Sequence, residues 1–166
     1  MPRWRMLGAA SLGLLTGCVR LPPPAGQCHV ATAWATAYAR ARVLAVLPPG
    51  QIRVIRYAVT AGPPVRGHLC GTITLHKGLT FLRGQGDLHV AEVRDFYRGA
   101  RLVAVHTARI GAQLPISGRY TSTVTLPIPG NAPLGRYTVT SALYARWGHG
   151  APLLLAQSKT HFVVIR

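Results

Sequence analysis

Two Cys–His pairs carry the side chains best suited to metal chemistry in this chain of 166 residues. His29 directly follows Cys28, and His68 lies two residues before Cys70. If the cysteines were reduced and the pairs converged, the four side chains would suit Zn²⁺ or Cu⁺, which accept thiolate and imidazole ligands. Neither Cys-x-x-Cys nor His-Glu-x-x-His is present, so the spacing adds no support. A metal centre at these four residues is therefore an alternative interpretation, and otherwise no cofactor is expected.

Carboxylates are too few for most forms of acid–base catalysis. The chain has three, Asp87, Glu92 and Asp95, which alternate with Arg94 and Arg98 in one short segment. Such interleaving is typical of an ion-pair cluster on a protein surface. General acid–base catalysis and glycoside hydrolysis draw mainly on Asp and Glu, and neither a nucleophile elbow nor a phosphate-binding glycine loop is present. We therefore expect no catalytic residues and no enzymatic activity.

The first 18 residues have the organisation of an export signal. Two arginines precede an apolar run over residues 7–15, which is shorter than the roughly 20 residues of a membrane-spanning helix. The run ends in Leu15-Thr16-Gly17-Cys18, which resembles the lipobox of bacterial lipoproteins. The resemblance implies cleavage of a signal peptide at residues 1–17, a diacylglyceryl group on the Cys18 thiol and acylation, for example by palmitate, of the new N-terminus. Several acyl chains would anchor the mature protein stably in a membrane.

The residues after Cys18 indicate where the protein is anchored and how. Residue 19 is Val rather than Asp, which by the sorting rule of Gram-negative lipoproteins implies the outer membrane, with the domain facing the periplasm. Three consecutive prolines within residues 18–27 favour an extended tether. With Cys18 lipidated, Cys28 and Cys70 are an even pair, which predicts a disulfide in an exported protein.

Residues 28–166 are predicted to form one all-β domain. Short runs rich in β-branched and aromatic residues alternate with Gly/Pro turns, for example at 48–50 and 148–150. Polar and apolar residues alternate most clearly over 120–128 and 136–144. Further strands are predicted at 31–46, 52–59, 71–75, 101–110 and 161–165. The first of these contains enough alanine to allow a helix instead.

The turn between the two clearest strands points to a fold family. Residues 126–137 read Leu-Pro-Ile-Pro-Gly-Asn-Ala-Pro-Leu-Gly-Arg-Tyr, and this run resembles the penultimate turn of many bacterial immunoglobulin-like domains. The resemblance implies an immunoglobulin-like antiparallel β-sandwich. It implies no particular activity, because many functions share this fold.

The chain is strongly basic because it lacks acids. It has 19 Lys and Arg against 3 Asp and Glu, a formal net charge of +16, yet only 13% of its residues are charged. A polyanionic ligand, acidic partner proteins or an acidic environment would each account for this balance, and the depletion of acids favours the acidic environment. The arginines are spread along the chain without a dense run, so we do not expect nucleic acid as a partner.

These observations predict an outer-membrane lipoprotein that acts as a non-catalytic interaction or structural subunit of a bacterial envelope complex. Its partners would be the membrane, through the lipid anchor, and one or more envelope proteins. Sheet edges and the loops at 127–131 and 148–150 are the expected contact surfaces. The alternative is a periplasmic ligand binder, either a metal carrier that uses the two Cys–His pairs or a polyanion-binding module.

Overall fold

The computed structural model describes Cys28 and residues 37–166. The lipobox with Cys18, the tether, His29 and the first part of the predicted strand 31–46 therefore lie outside the described residues.

Strands dominate the part of the chain that the structure describes. A single 3-10 turn, Gly111–Gln113, interrupts them there. The strands are β1 (Ala37–Val43), β2 (Ile52–Ala61), β3 (Arg66–His68), β4 (Thr72–Arg83), β5 (Leu88–Arg98), β6 (Arg101–Arg109), β7 (Gly118–Pro127), β8 (Gly135–Trp147) and β9 (Leu153–Ile165).

The strands form two sheets that pack face to face. Sheet A has the order β1-β7-β4-β2, and sheet B has the order β3-β9-β8-β5-β6. Strands β3 and β9 pair in parallel, and the other pairs are antiparallel. Seven strands occupy, in chain order, the places of strands A, B, C, C′, E, F and G of an immunoglobulin-like domain; these are β2, β4, β5, β6, β7, β8 and β9. Strand β1 lies where strand D would pair. The predicted all-β, immunoglobulin-like sandwich is confirmed.

Tyr137 provides a second feature of this fold. Tyr137 lies near the start of β8, and its hydroxyl donates a hydrogen bond of 2.7 Å to the carbonyl of Pro133, four residues upstream. Immunoglobulin-like domains have a tyrosine corner at the same place, at the start of strand F. The turn that carried the resemblance in the sequence therefore has the expected structural role.

Most predicted strands coincide with observed ones, but their lengths differ. The predictions at 52–59, 101–110, 120–128 and 136–144 fall on β2, β6, β7 and β8. Residues 37–43 of the predicted strand 31–46 form β1, whereas residues 44–46 follow the strand. The predictions at 71–75 and 161–165 are too short, because β4 continues to Arg83 and β9 begins at Leu153. The sequence pattern misses β3 and β5 altogether.

Charged residues that point into the core explain two of these differences. In β4 the inward positions run Ile73, Leu75, Lys77, Leu79 and Phe81, and all are buried. Lys77 interrupts the alternation of apolar residues. The pattern therefore predicts that the strand ends at residue 75, whereas β4 continues to Arg83. The inward side of β5 is broken in the same way by two consecutive inward positions, Glu92 and Arg94.

The apolar core is divided into two clusters. One contains Val59, Leu75, Phe96, Val124, Val139 and neighbours, and the other contains Leu79, Val90, Tyr120, Leu143 and neighbours. Along the inward-facing positions of β4, β5, β7 and β8, the two clusters are separated on each strand by one or two buried polar residues.

Candidate functional site

Cys28 and Cys70 form a disulfide, as predicted for the two cysteines outside the predicted lipobox. Their Cα atoms are 5.1 Å apart, and the bond joins residues 42 positions apart in sequence. The backbone N–H of Cys70 also donates to the carbonyl of Ile128, at the end of β7. The bridge therefore ties the start of the domain to the end of sheet A where β4 begins. While the two sulfurs are bonded to each other, neither can act as a thiolate ligand for the alternative metal set.

The polar residues in the core form one continuous layer because the strand registers align them. In sheet A, Tyr38 pairs with Ser122, and Ser122 pairs with Lys77. In sheet B, a second row of paired residues runs Ser158, Ser141, Arg94 and His106. Cross-strand partners point to the same face of a sheet, and the two rows face each other across the sandwich. We refer to these residues, together with Glu92 and Tyr57, as the polar layer.

Glu92 lies at the centre of the polar layer. Its Oε2 atom accepts hydrogen bonds from Lys77 Nζ at 2.7 Å and from Arg94 Nη2 at 2.8 Å. Its Oε1 atom accepts a hydrogen bond of 2.7 Å from the hydroxyl of Tyr57. The side chains of all three charged residues are completely buried. Lys77 Nζ also lies 4.9 Å from the ring centre of Tyr38, a cation–π contact.

Burial and neighbouring charges shift the pKa values of the groups in the polar layer, in some cases in opposite directions. Burial lowers the pKa of Lys77 to about 8, although the carboxylate of Glu92 opposes the shift. Burial alone would raise the pKa of Glu92, but the charge of Lys77 and the hydrogen bond from Arg94 outweigh it and lower that pKa. At pH 7 the layer therefore holds two cations and one carboxylate. Burial, reinforced by the charge of Glu92, raises the pKa of the tyrosines at 38 and 57.

The predicted surface ion-pair cluster is thus wrong for Glu92 and Arg94. Both side chains point between the sheets because even positions of β5 face inward, and their partner Lys77 comes from the other sheet. Asp87 does lie at the surface, where its Oδ1 atom is 3.4 Å from Nε2 of His89. The polar layer joins the two sheets, and its central carboxylate is closed to any substrate in this conformation.

Strand β6 forms an open edge of sheet B. Among the described residues it pairs with β5 only. Its aliphatic residues are exposed, with exposed fractions of 48% for Leu102, 40% for Val103 and 56% for Val105. Arg101 and Arg109 lie at its two ends. A bulge interrupts the register between Phe96 and Tyr97 of β5, so the regular part of the edge runs over residues 104–109.

A groove lies on the outer face of sheet B, next to the end of β6. It has a volume of about 480 Å³. It is lined by residues of β5, β6 and β8, of the 3-10 turn and of the loop before β9. The side chains used below are His89, Ala91, Arg109, Tyr144, Arg146 and Pro152.

The groove and the disulfide lie at opposite ends of the sandwich. Strand β8 begins at Gly135, which pairs with Val164 near the disulfide end, and finishes at Trp147 beside the groove. Its 13 residues span about 40 Å in an extended strand.

The histidines do not converge on a metal site in the part of the chain that is described. Two contact threonine hydroxyls on neighbouring strands, His76 with Thr123 and His161 with Thr138. His68 lies against the carbonyl of Arg166, and His29 is outside the described residues. Across Cys28 and residues 37–166, no group of three or more His, Cys, Asp or Glu side chains is placed to hold a metal ion. Within the same residues, no helix is long and apolar enough to cross a membrane.

Comparison with known proteins adds similarity of shape only. No protein-family model matches the chain, and no curated protein sequence matches it. Among solved structures, the C-terminal domain of Wzt is 9% identical with a TM-score of 0.47, and the match covers 79% of this chain and 78% of that one.

Two further solved structures resemble the chain in outline. A CARDB domain from Pyrococcus furiosus, in complex with di-metal ions, is 11% identical with a TM-score of 0.41, and the match covers 73% of this chain and 95% of that domain. A cohesin module from a Clostridium perfringens family 33 glycoside hydrolase is 12% identical with a TM-score of 0.38, covering 65% and 96%. At these identities a likeness concerns the fold and carries no function to this chain.

Proposed function

We propose that this protein is a lipid-anchored, non-catalytic binding subunit of a bacterial envelope complex, and that an extended segment of a partner protein adds to sheet B along β6. The open edge of β6 carries the proposal. The anchoring part rests on the sequence, through the lipobox that ends at Cys18.

Natural proteins usually protect an edge strand of this kind. Inward charges, prolines, lysines or very short strands prevent unwanted pairing. Strand β6 has nine residues, no proline and no lysine, and its exposed middle is aliphatic. Its bulge lies near Leu102 and leaves residues 104–109 in regular register. An added strand would satisfy its outer backbone groups and cover Val105.

The charges around the edge favour an acidic partner segment. Arg101 and Arg109 lie at the ends of β6, and both are exposed. A partner segment with apolar residues at alternate positions and carboxylates near its ends would complement this edge. Charge complementarity of this kind speeds association and weakens as salt screens it.

A pair of matched variants tests the docking edge. Val105→Lys/Thr107→Lys places two charges on β6, whereas Thr121→Lys/Thr123→Lys adds the same charge to exposed positions on the outer face of β7. Each tagged variant is purified from its own envelope in mild detergent, and co-purifying proteins are quantified by mass spectrometry. We expect a stoichiometric partner with the wild type and the β7 variant, and loss of that partner with the β6 variant. If the β6 variant keeps the partner, the edge is not the docking site.

Membrane anchoring is tested separately. Cys18→Ser should move the protein from the membrane fraction to the soluble periplasmic fraction, since the acyl chains supply the anchor. If Cys18→Ser stays wholly in the membrane fraction and is not stripped by salt, the anchor proposal is wrong.

A further inference from the structure

The groove on the outer face of sheet B is built around a small residue in the middle strand of three. Ala91 on β5 pairs with Arg109 on β6 on one side and with Tyr144 on β8 on the other. Because cross-strand partners point to the same face, the arginine and the tyrosine rise on either side of a methyl group. The floor of the groove is therefore low, and its two walls are long side chains.

The next outward row adds a second arginine. His89 on β5 pairs with Arg146 on β8. Arg109 and Arg146 come from the two strands that flank β5 and lie two residues apart along the sheet, so their backbones are about 12 Å apart. Both arginines are exposed, and their side chains are long enough to meet over the alanine.

Positive charge dominates this part of the surface. The nearest carboxylate is Asp87, which contacts His89 at 3.4 Å and whose side chain is 76% exposed. Asp95 lies four residues along β5 from Ala91, about 13 Å away, and Glu92 points into the core. Two guanidinium groups thus face one exposed carboxylate, which is already paired with the imidazole.

The size of the groove argues for a molecule larger than a single ion. Its 480 Å³ lies within the range of small-molecule sites, about 300–1,000 Å³. The ring of Tyr144, the methyl of Ala91 and the ring of Pro152 supply apolar lining for an organic body, while arginine is the side chain best shaped to bind phosphate or carboxylate oxygens in pairs.

We propose that this groove binds a sugar-sized organic anion, with its phosphate or carboxylate group between Arg109 and Arg146 and its body over Ala91 against Tyr144. The groove shares Arg109 with the end of the β6 edge, whereas its other side chains lie on β5, on β8 and in the loops. It would be reached from the side of the domain opposite the disulfide.

Titration of the purified protein with three probes tests the site. Glucose 6-phosphate carries both the anion and the sugar body, inorganic phosphate carries the anion alone, and glucose carries the body alone. Binding is followed by calorimetry and by chemical shifts of backbone amides around residues 89–91 and 144–146. We expect glucose 6-phosphate to bind more tightly than either fragment, and its affinity to fall as salt is added. Binding of galacturonate with similar affinity would assign the anionic group to carboxylate as well as phosphate.

Two charge-matched variants separate a built site from general attraction to a basic protein. Arg146→Gln should weaken binding about tenfold, the effect of one lost charge-assisted hydrogen bond. Arg136→Gln removes the same charge from an exposed position near the other end of β8 and should leave the affinity unchanged. Ala91→Leu, which fills the floor, should abolish binding without unfolding the domain, as thermal unfolding will show.

Three results would overturn the proposal. The first is equal weakening by Arg146→Gln and Arg136→Gln, and the second is full affinity in Ala91→Leu. The third is the lack of any shift at the groove amides with every anionic probe at millimolar concentration. None of these results bears on the partner test, which uses substitutions on other residues.

Discussion

Lys77 of β4 and Glu92 of β5 form an ion pair across the middle of the sandwich, with 2.7 Å between Nζ and Oε2 and neither side chain exposed. The two residues belong to different sheets, so the pair fixes how one sheet lies over the other. A slip of one residue in either strand would turn a buried charge to the surface and leave the other without a partner. We expect the polar layer to contribute to the register of the fold, a role that buried polar groups have in other systems.

Removal of the central carboxylate should destabilise the protein more than removal of the lysine. Glu92→Gln leaves two buried cations facing each other, and we expect the free energy of unfolding in urea to fall by about 3–5 kcal/mol. Lys77→Met leaves the carboxylate balanced by Arg94 and should lose less. Asp95→Asn, on the outer side of the same strand, is the control and should change stability by less than about 0.5 kcal/mol. Equal effects of Glu92→Gln and Asp95→Asn would contradict the polar layer as described.

Stability should rise with pH on the alkaline side. Burial lowers the pKa of Lys77 from 10.5 in the unfolded chain to about 8 in the folded protein. Between pH 8 and 10.5 the unfolded chain therefore binds more protons than the folded protein, and the free energy of unfolding increases by up to about 3 kcal/mol across this range. The raised pKa values of Tyr38 and Tyr57 act in the opposite direction once pH exceeds their ordinary value of 10.0. Urea unfolding from pH 7 to 11 should therefore show a maximum near pH 10 that Lys77→Met lacks.

Acid should destabilise the protein in two stages, through His106 below about pH 6.5 and through Glu92 below about pH 4.5. The lowered pKa of Glu92 means that its contribution is present above the ordinary value of 4.5 and is lost as pH falls through the lower folded value. Burial and the charge of Arg94 also lower the pKa of His106, which adds a loss as pH falls below 6.5. If the low acid content reflects an acidic environment, the protein stays folded down to about pH 2 in circular dichroism. An unfolding midpoint near pH 4 would contradict that explanation.

The disulfide should contribute a large share of the stability. Cys28→Ser/Cys70→Ser opens a loop of 42 residues, and the chain-entropy relation gives a loss of about 4 kcal/mol. Urea unfolding of the wild type with and without a phosphine reductant should show the same difference. Thiol titration of the non-lipidated Cys18→Ser protein should find no free thiol before reduction. Two free thiols that disappear on addition of Zn²⁺ or Cu⁺ would favour the metal alternative instead.

Two buried serines should respond differently to the same substitution. The hydroxyl of Ser117 accepts from the N–H of Arg83 and donates to its carbonyl, which also accepts from the N–H of Leu47. Ser117→Ala should cost about 1–3 kcal/mol because the N–H of Arg83 loses this buried partner. The hydroxyl of Ser122 is buried with no hydrogen-bond partner among the described residues, so Ser122→Ala should be neutral or stabilising. Thermal unfolding of the two variants measures the difference, and equal destabilisation would contradict it.

The fold class could be predicted from local patterns because every strand except β3 and β5 shows them, at least in part, within a few residues. Alternation over β7 and β8 marks one apolar face, and the run that ends at Tyr137 marks the turn where its hydroxyl bonds to Pro133. The cysteine pair is predictable for a different reason, since Cys28 and Cys70 are the two that remain once Cys18 is assigned to the predicted lipobox.

The polar layer and the groove could not be predicted, because both depend on which strands are neighbours. Lys77 reads as an interruption of β4 and Glu92 as part of a surface cluster until the register places them together between the sheets. Arg109 and Arg146 are 37 positions apart in sequence and meet only because β5 lies between their strands. The chain by itself determines which residues alternate and where the backbone turns. Strand order and register decide which side chains face one another, because they are set by the packing of the whole sandwich.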